Sequence, residues 1–182
     1  MSLSIQTYLE DFPFLDDAGE SKYISLNDDY VHEVFALMYK MNGGHLYGGI
    51  TFTLNGQNLF KKIVDTDDLF ATWSSLLSYY EKEGFQPEQP HDLFFGQINF
   101  IAKNGTDIKN PQVQFIHHYE RTTTEWLPLQ DVKDAIRKGF LEYMEIVKED
   151  VINNRIYEDG DTFDMHPSLP DLLESFKEFK SS

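Results

Sequence analysis

The stretch Gly49-Ile50-Thr51-Phe52-Thr53-Leu54-Asn55-Gly56 decides the fold. Ile50, Phe52 and Leu54 alternate with Thr51 and Thr53, a period of two that puts the apolar side chains on one face of a strand. Asn55-Gly56 follows at once. Both residues accept the positive φ of a type I′ turn, so the chain is expected to reverse and return antiparallel over Gln57 to Val64.

Upstream, Val31, Val34, Phe35, Met38 and Met41 fall at helical spacing within Tyr30 to Met41. Asn27 and Asp28 are candidate caps before them, and Gly43 and Gly44 stand after. Downstream, Asp65, Thr66, Asp67 and Asp68 crowd a helix start, where carboxylates cap free N–H groups and favour the positive end of the dipole. Leu69, Phe70, Trp73, Leu76, Leu77 and Tyr80 make the apolar stripe of that helix, and Gly84 can close it. Gln86-Pro87-Glu88-Gln89-Pro90 is a stiff connector in which a helix cannot continue.

Leu93 to Ala102 reads as one long strand buried on both sides, with Phe94, Ile98 and Phe100 on one face and Phe95 and Ile101 on the other. Asn104-Gly105 ends it. Val113, Phe115, His117 and Tyr119 alternate with polar and mixed neighbours in a further strand, and a short one around Glu125 to Leu129 follows the turn at Thr122 to Thr124. Asp131 is the expected cap of a long helix whose buried stripe is Val132, Ala135, Ile136, Phe140, Tyr143, Met144 and Val147. Gly139 inside it is either a close-packing point or a tolerated defect costing about 1 kcal/mol against Ala. Asn153 to Asp164 is acidic and aperiodic, an exposed loop. Ser168-Leu169-Pro170-Asp171 has the capping pattern of a last helix carrying Leu172, Leu173, Phe176 and Phe179. The order of elements predicts a single α+β domain over 1–182: one mixed but mostly antiparallel sheet, with a β-hairpin, and several helices packed against it.

Composition narrows the function. Of 182 residues, 41% are apolar and 15% aromatic, too many for a disordered acidic chain. Fifteen Lys and Arg against thirty-one Asp and Glu leave a net charge of −16. Residues 1–40 hold eight acids and two bases, and residues 149–182 hold nine acids and three bases, so these flanks carry twelve of the sixteen charges. Read structurally, the flanks are solvated faces that keep the protein soluble. Read functionally, they fold onto the 41–148 core as one negative surface. With no Cys there is no disulfide scaffold, thiolate metal site or Cys nucleophile. The first fifteen residues lack a basic start and an apolar run, and no segment approaches the roughly 20 apolar residues of a membrane span, so a cytoplasmic protein is expected. A surface this negative is repelled by phosphate backbones and anionic lipids. Its expected partner is a basic protein, with neither nucleic acid nor membrane bound directly; the oligomeric state stays open.

Motifs for catalysis fail one by one. His32-Glu33-Val34-Phe35-Ala36 begins like a zinc-protease helix, but position 36 is Ala where the second His is needed. His117 and His118 are adjacent in a strand and point to opposite faces, so they cannot chelate one ion. Glu158, Asp159, Asp161, Asp164 and His166 offer oxygen and imidazole ligands without the order of a calcium loop. Thr122, Thr123 and Thr124 near His117, His118 and Glu120 are explained by a polar turn. No nucleophile elbow, phosphate loop or dinucleotide fingerprint is present. Trp73 and Trp126 read as core or sheet-packing residues. No catalytic residue, metal or cofactor is therefore assigned. A metal-assisted hydrolase using His117 or His118 with distant carboxylates, or an acidic adaptor domain for a basic protein, stands as the alternative.

The Gly48-Gly49-Ile50-Thr51-Phe52-Thr53-Leu54-Asn55-Gly56 hairpin, the Asp65 to Tyr80 helix with Trp73, the Leu93 to Ala102 strand and the Val132 to Val147 helix together span about two thirds of the chain. In this pattern the chain resembles the immunity proteins that bacteria carry against contact-dependent growth inhibition and related polymorphic toxins. The resemblance implies a small cytoplasmic protein that binds and neutralises one cognate toxin, without enzymatic activity or cofactor. A toxin nuclease has a basic substrate groove, which carboxylates occupy by imitating phosphates. Charge alone selects the candidate contacts: Asp65, Asp67, Asp68, Glu81 and Glu83 around the second helix, and Glu158, Asp159, Asp161 and Asp164 in the late loop.

Overall fold

In the computed structural model, which describes residues 2–15, 21–60, 62–81, 85–96, 98–152 and 166–181, the Asn55-Gly56 turn is made as read, with φ of 50° and 83°. The strand before it has more neighbours than a hairpin requires. Leu3–Leu15 (β1), which the sequence reading leaves unassigned, pairs on its far edge with Ser21–Ser25 (β2). After the helix Val31–Met41 (α1), Gly48–Leu54 (β3) lies antiparallel to β1 from Leu3 opposite Leu54 to Leu9 opposite Gly48. The return from the turn is split into Gln57–Asn58 (β4) and Val64–Thr66 (β5), both paired with β3. A Cβ on Gly48 would lie 2.1 Å from the Tyr8 carbonyl oxygen, and one on Gly49 2.2 Å from Ile63 Cγ2. The two glycines thus let the chain close on β3 from both sides.

Leu69–Glu81 (α2) follows the first sheet. Leu93 to Ala102 is not one strand: Pro90–Phe95 (β6) and Ile98–Asn104 (β7) pair antiparallel, Phe95 opposite Ile98, around a turn with Gly96 at φ 59°. Leu93, Phe95, Phe100 and Ala102 are buried while Phe94 is exposed, so the apolar run is a one-faced hairpin. Gln112–His117 (β8) pairs with β7, and Thr122–Thr123 (β9) and Leu127–Pro128 (β10) pair with the other edge of β8. Two five-stranded antiparallel sheets therefore replace the single mixed sheet expected, within the α+β class. They meet through phenylalanines, with the ring of Phe52 in β3 centred 4.9 Å from Phe115, 5.4 Å from Phe100 and 6.2 Å from Phe95.

Helices cover the first sheet. Leu129–Val147 (α3) packs on β1 at Gly139, where an added Cβ would stand 2.4 Å from the Ile5 carbonyl oxygen and 3.0 Å from Trp73 Cη2. Gly139 is a close-packing point. Trp73 of α2 is buried beside Phe140 and Tyr143, and its indole N–H donates to Thr7 Oγ1 at 3.1 Å. The N-cap of α3 is Pro128, which places Asp131 in the first turn and not at the cap. Likewise α1 is capped at Tyr30 without a side-chain bond, because the Asp28 carboxylate accepts the Ser25 amide instead. Trp126 is exposed and lies against Gly105.

Leu169–Ser181 (α4) buries Leu169, Leu172 and Phe176 against α2 and α3. After α3 a π-helical turn, Lys148–Ile152, reaches α1, where His32 Nδ1 lies 2.8 Å from Asp150 Oδ2. The two acidic flanks touch there. Among the described residues no helix is long and apolar enough to cross a membrane. The expected loop from Asn153 to Asp164, and Gly84, lie outside the described residues.

Candidate functional site

Asp68 sits one residue before α2, and its Oδ1 accepts the Ala71 amide at 3.0 Å, the capping role its position predicts. The other oxygen faces two histidines. His45, in the turn after α1, places Nδ1 3.1 Å from Asp68 Oδ2, and His166, just before α4, places Nε2 2.9 Å from the same atom. Three segments far apart in sequence are thereby joined. The cluster runs from surface to core: His45 is exposed, Asp68 is half-buried and His166 is buried. His166 lies over Phe70 with ring centres 5.0 Å apart, and its edge meets the His45 ring at the same separation.

The electrostatics follow from these contacts. Partial burial pushes the Asp68 carboxyl up, but hydrogen bonds from His166, the Ala71 amide and His45 outweigh it and hold the carboxyl below its ordinary range. Tyr143 beneath is fully buried. Burial, then the Asp68 and Tyr39 charges, push its phenol well above the usual tyrosine range. The Tyr143 hydroxyl has no hydrogen-bond partner among the described residues.

Among the described residues this is the one set of three His and carboxylate side chains whose ligand atoms come within metal-binding reach of one another. Its chemistry does not suit a cation. The Ser168 amide donates to His166 Nδ1 at 3.2 Å, which puts the ring proton on Nε2, the atom that faces Asp68. A metal-bound histidine instead needs that lone pair free and its other nitrogen donating. Two helices, α2 and α4, also begin at the cluster, the Leu169 amide donating to the His166 carbonyl. Their positive ends favour an anion. Asp68 is that anion, and the cluster is a proton-mediated clasp that fastens the α1–β3 turn and the start of α4 to α2.

Of the other sequence-selected acids, Asp65 is exposed and accepts the Tyr23 hydroxyl at 2.5 Å. Asp67 is exposed and lies against Gly96 in the β6–β7 turn. Glu81 stands at the end of α2 in an open groove of about 340 Å³ between α2 and α4, floored by Leu77 and Leu172 and flanked by Ser74, Ser78, Asp171 and Ser175. So Asp65 and Asp67 present carboxylates at the surface, Asp68 is engaged, and Glu81 belongs to a separate groove. Glu83, Glu158, Asp159, Asp161 and Asp164 lie outside the described residues.

The histidines singled out by sequence go elsewhere. His117 is buried between Phe60 and Phe100, its Nδ1 accepting the Glu120 amide at 3.1 Å, while His118 is exposed in the turn after β8 and not, as expected, in the strand. His32 is taken by Asp150 and Glu149. Sequence reasoning passed over His45 altogether and grouped His166 with the late acids, because no local spacing links either to Asp68. No protein-family model, curated protein or solved structure matches the chain.

Proposed function

We propose that the protein is a non-catalytic, cytoplasmic binding protein that neutralises a basic protein partner, in the manner of an immunity protein blocking a toxin nuclease. The net charge of −16 carries this reading. A groove built to hold nucleic-acid phosphates is the surface such a charge complements, and complementary charge raises association rates toward about 10⁸–10⁹ M⁻¹s⁻¹ at low salt. Asp65 and Asp67, exposed before α2, supply carboxylates to such a contact.

The metal-assisted hydrolase is supported less well. It needs His117 or His118 to meet carboxylates, yet His117 is packed among phenylalanines and the converging set lies at Asp68, where the tautomer of His166 opposes a metal. The adaptor reading uses the same surface and differs only in its consequence for the partner.

Co-expression with a basic nuclease domain encoded beside the gene tests the proposal. Restored growth, and a purified complex that loosens with added salt, are the expected results. Cells that die regardless of the co-expressed protein, with no complex recovered at low salt, would remove the neutralising role.

A further inference from the structure

We propose that the outer face of α1 is the apolar anchor of this protein's interface and docks against a cationic amphipathic helix on the partner. The inference rests on the reading that the partner is a basic protein. Tyr30, Leu37 and Met41 are 41%, 46% and 56% exposed. At seven- and eleven-residue offsets they stand within about 40° of one another around the helix. Half-buried Val34 continues the row toward the core. The resulting ridge, about 16 Å long, has the anchor spacing by which one helical face beds into another.

Folding does not require this ridge. The inner face, Val31, Phe35, Met38 and Tyr39, already fixes α1 on β1, and His32 ties it to Asp150 and Glu149. Single exposed apolar residues are ordinary on a protein surface, but three in one row form a patch of the kind that marks contact sites. Tyr and Met are among the residues enriched there.

Charge selects the occupant. Glu33 flanks the ridge about 60° from it, Lys40 lies seven residues on along the same flank as the only Lys or Arg of α1, and exposed Asp29 precedes the helix. Lysines or arginines beside the partner's apolar row would meet these acids. A second copy of the chain would bring its own −16 against them.

The probes are two labelled peptides of identical Leu and Lys composition and equal length, one with the leucines on a single helical face and one scrambled. The expected result is anisotropy binding about tenfold tighter for the amphipathic peptide, falling to the scrambled level in L37S/M41S. D29K/E33K should weaken binding and flatten its salt dependence. Thermal melts matching wild type would show that both variants fold. Equal binding of the two peptides, or L37S/M41S binding like wild type, would overturn the proposal. So would a wild-type dimer in sedimentation that L37S/M41S dissociates, since the face would then belong to a second copy. Peptide binding lost in L37S/M41S while wild type fails to protect cells would leave the docking face standing and remove the toxin reading. Protection by wild type with peptide binding indifferent to L37S/M41S would remove the face alone.

Discussion

Nε2 of His166 lies 2.9 Å from Oδ2 of Asp68, across 98 residues of sequence. That bond fixes the beginning of α4 to the beginning of α2, and His45 adds the turn after α1 to the same carboxylate oxygen. A residue selected for its charge is thus a structural joint, which changes what its substitution would report.

D68N should destabilise the protein by about 2 kcal/mol, since the amide loses the charge and turns an N–H toward ring N–H donors. Urea unfolding of wild type and variant measures this. A loss confined to partner binding, with unchanged stability, would refute the clasp.

The acid limb of stability follows from the same carboxylate. Its folded pKa is depressed, so its contribution is complete above the unfolded value near 3.8 and disappears as pH falls through the folded value. The stability gap between wild type and D68N should be present well above the ordinary carboxylate range and narrow below about pH 4. A gap that widens in acid would reverse the assigned sign.

Zinc should leave the melting temperature unchanged, because His166 presents a proton and not a lone pair to the cluster. Scanning calorimetry with and without stoichiometric Zn²⁺ decides the matter. A rise that vanishes in both H45A and H166A would make the cluster a metal site and overturn the tautomer assigned to His166.

G139A should lower stability by about 1–3 kcal/mol, although alanine is favoured over glycine in a helix by about 1 kcal/mol. The added methyl meets the Ile5 carbonyl, a backbone atom that can move only with β1. Chemical denaturation suffices as the measurement, and a stabilised variant would show that α3 can shift away from the sheet.

D65K/D67K should reduce affinity for the proposed basic partner about tenfold or more at low salt and much less at high salt, with the fold intact. Titration calorimetry at two ionic strengths tests it. Unchanged affinity at both would take the α2 entrance out of the interface and leave the function to other acids.

Several elements were legible because their signals are short-ranged. The period of two in β3, the Asn55-Gly56 turn, the stripes of α1, α2, α3 and α4, with Met41 of α1 turning out exposed, and the cap at Asp68 each depend on residues within a turn or two. Leu3, Ile5, Thr7 and Leu9 alternate in the same way in β1, and Ile5, Thr7 and Leu9 are buried, so the signal for that strand is also present in the sequence. Phe94-Phe95-Gly96 concealed a turn because the apolar residues on either side of it mimic one continuous strand.

Sequence alone determined the acidic charge, the main helices and the central hairpin, since composition and periodicity do not depend on how distant segments are arranged. Tertiary structure decided that the strands form two sheets, that Gly139 is a contact with β1, and that His45, Asp68 and His166 meet around one oxygen. Such pairings follow from packing between segments whose separation along the chain carries no trace of their proximity in space.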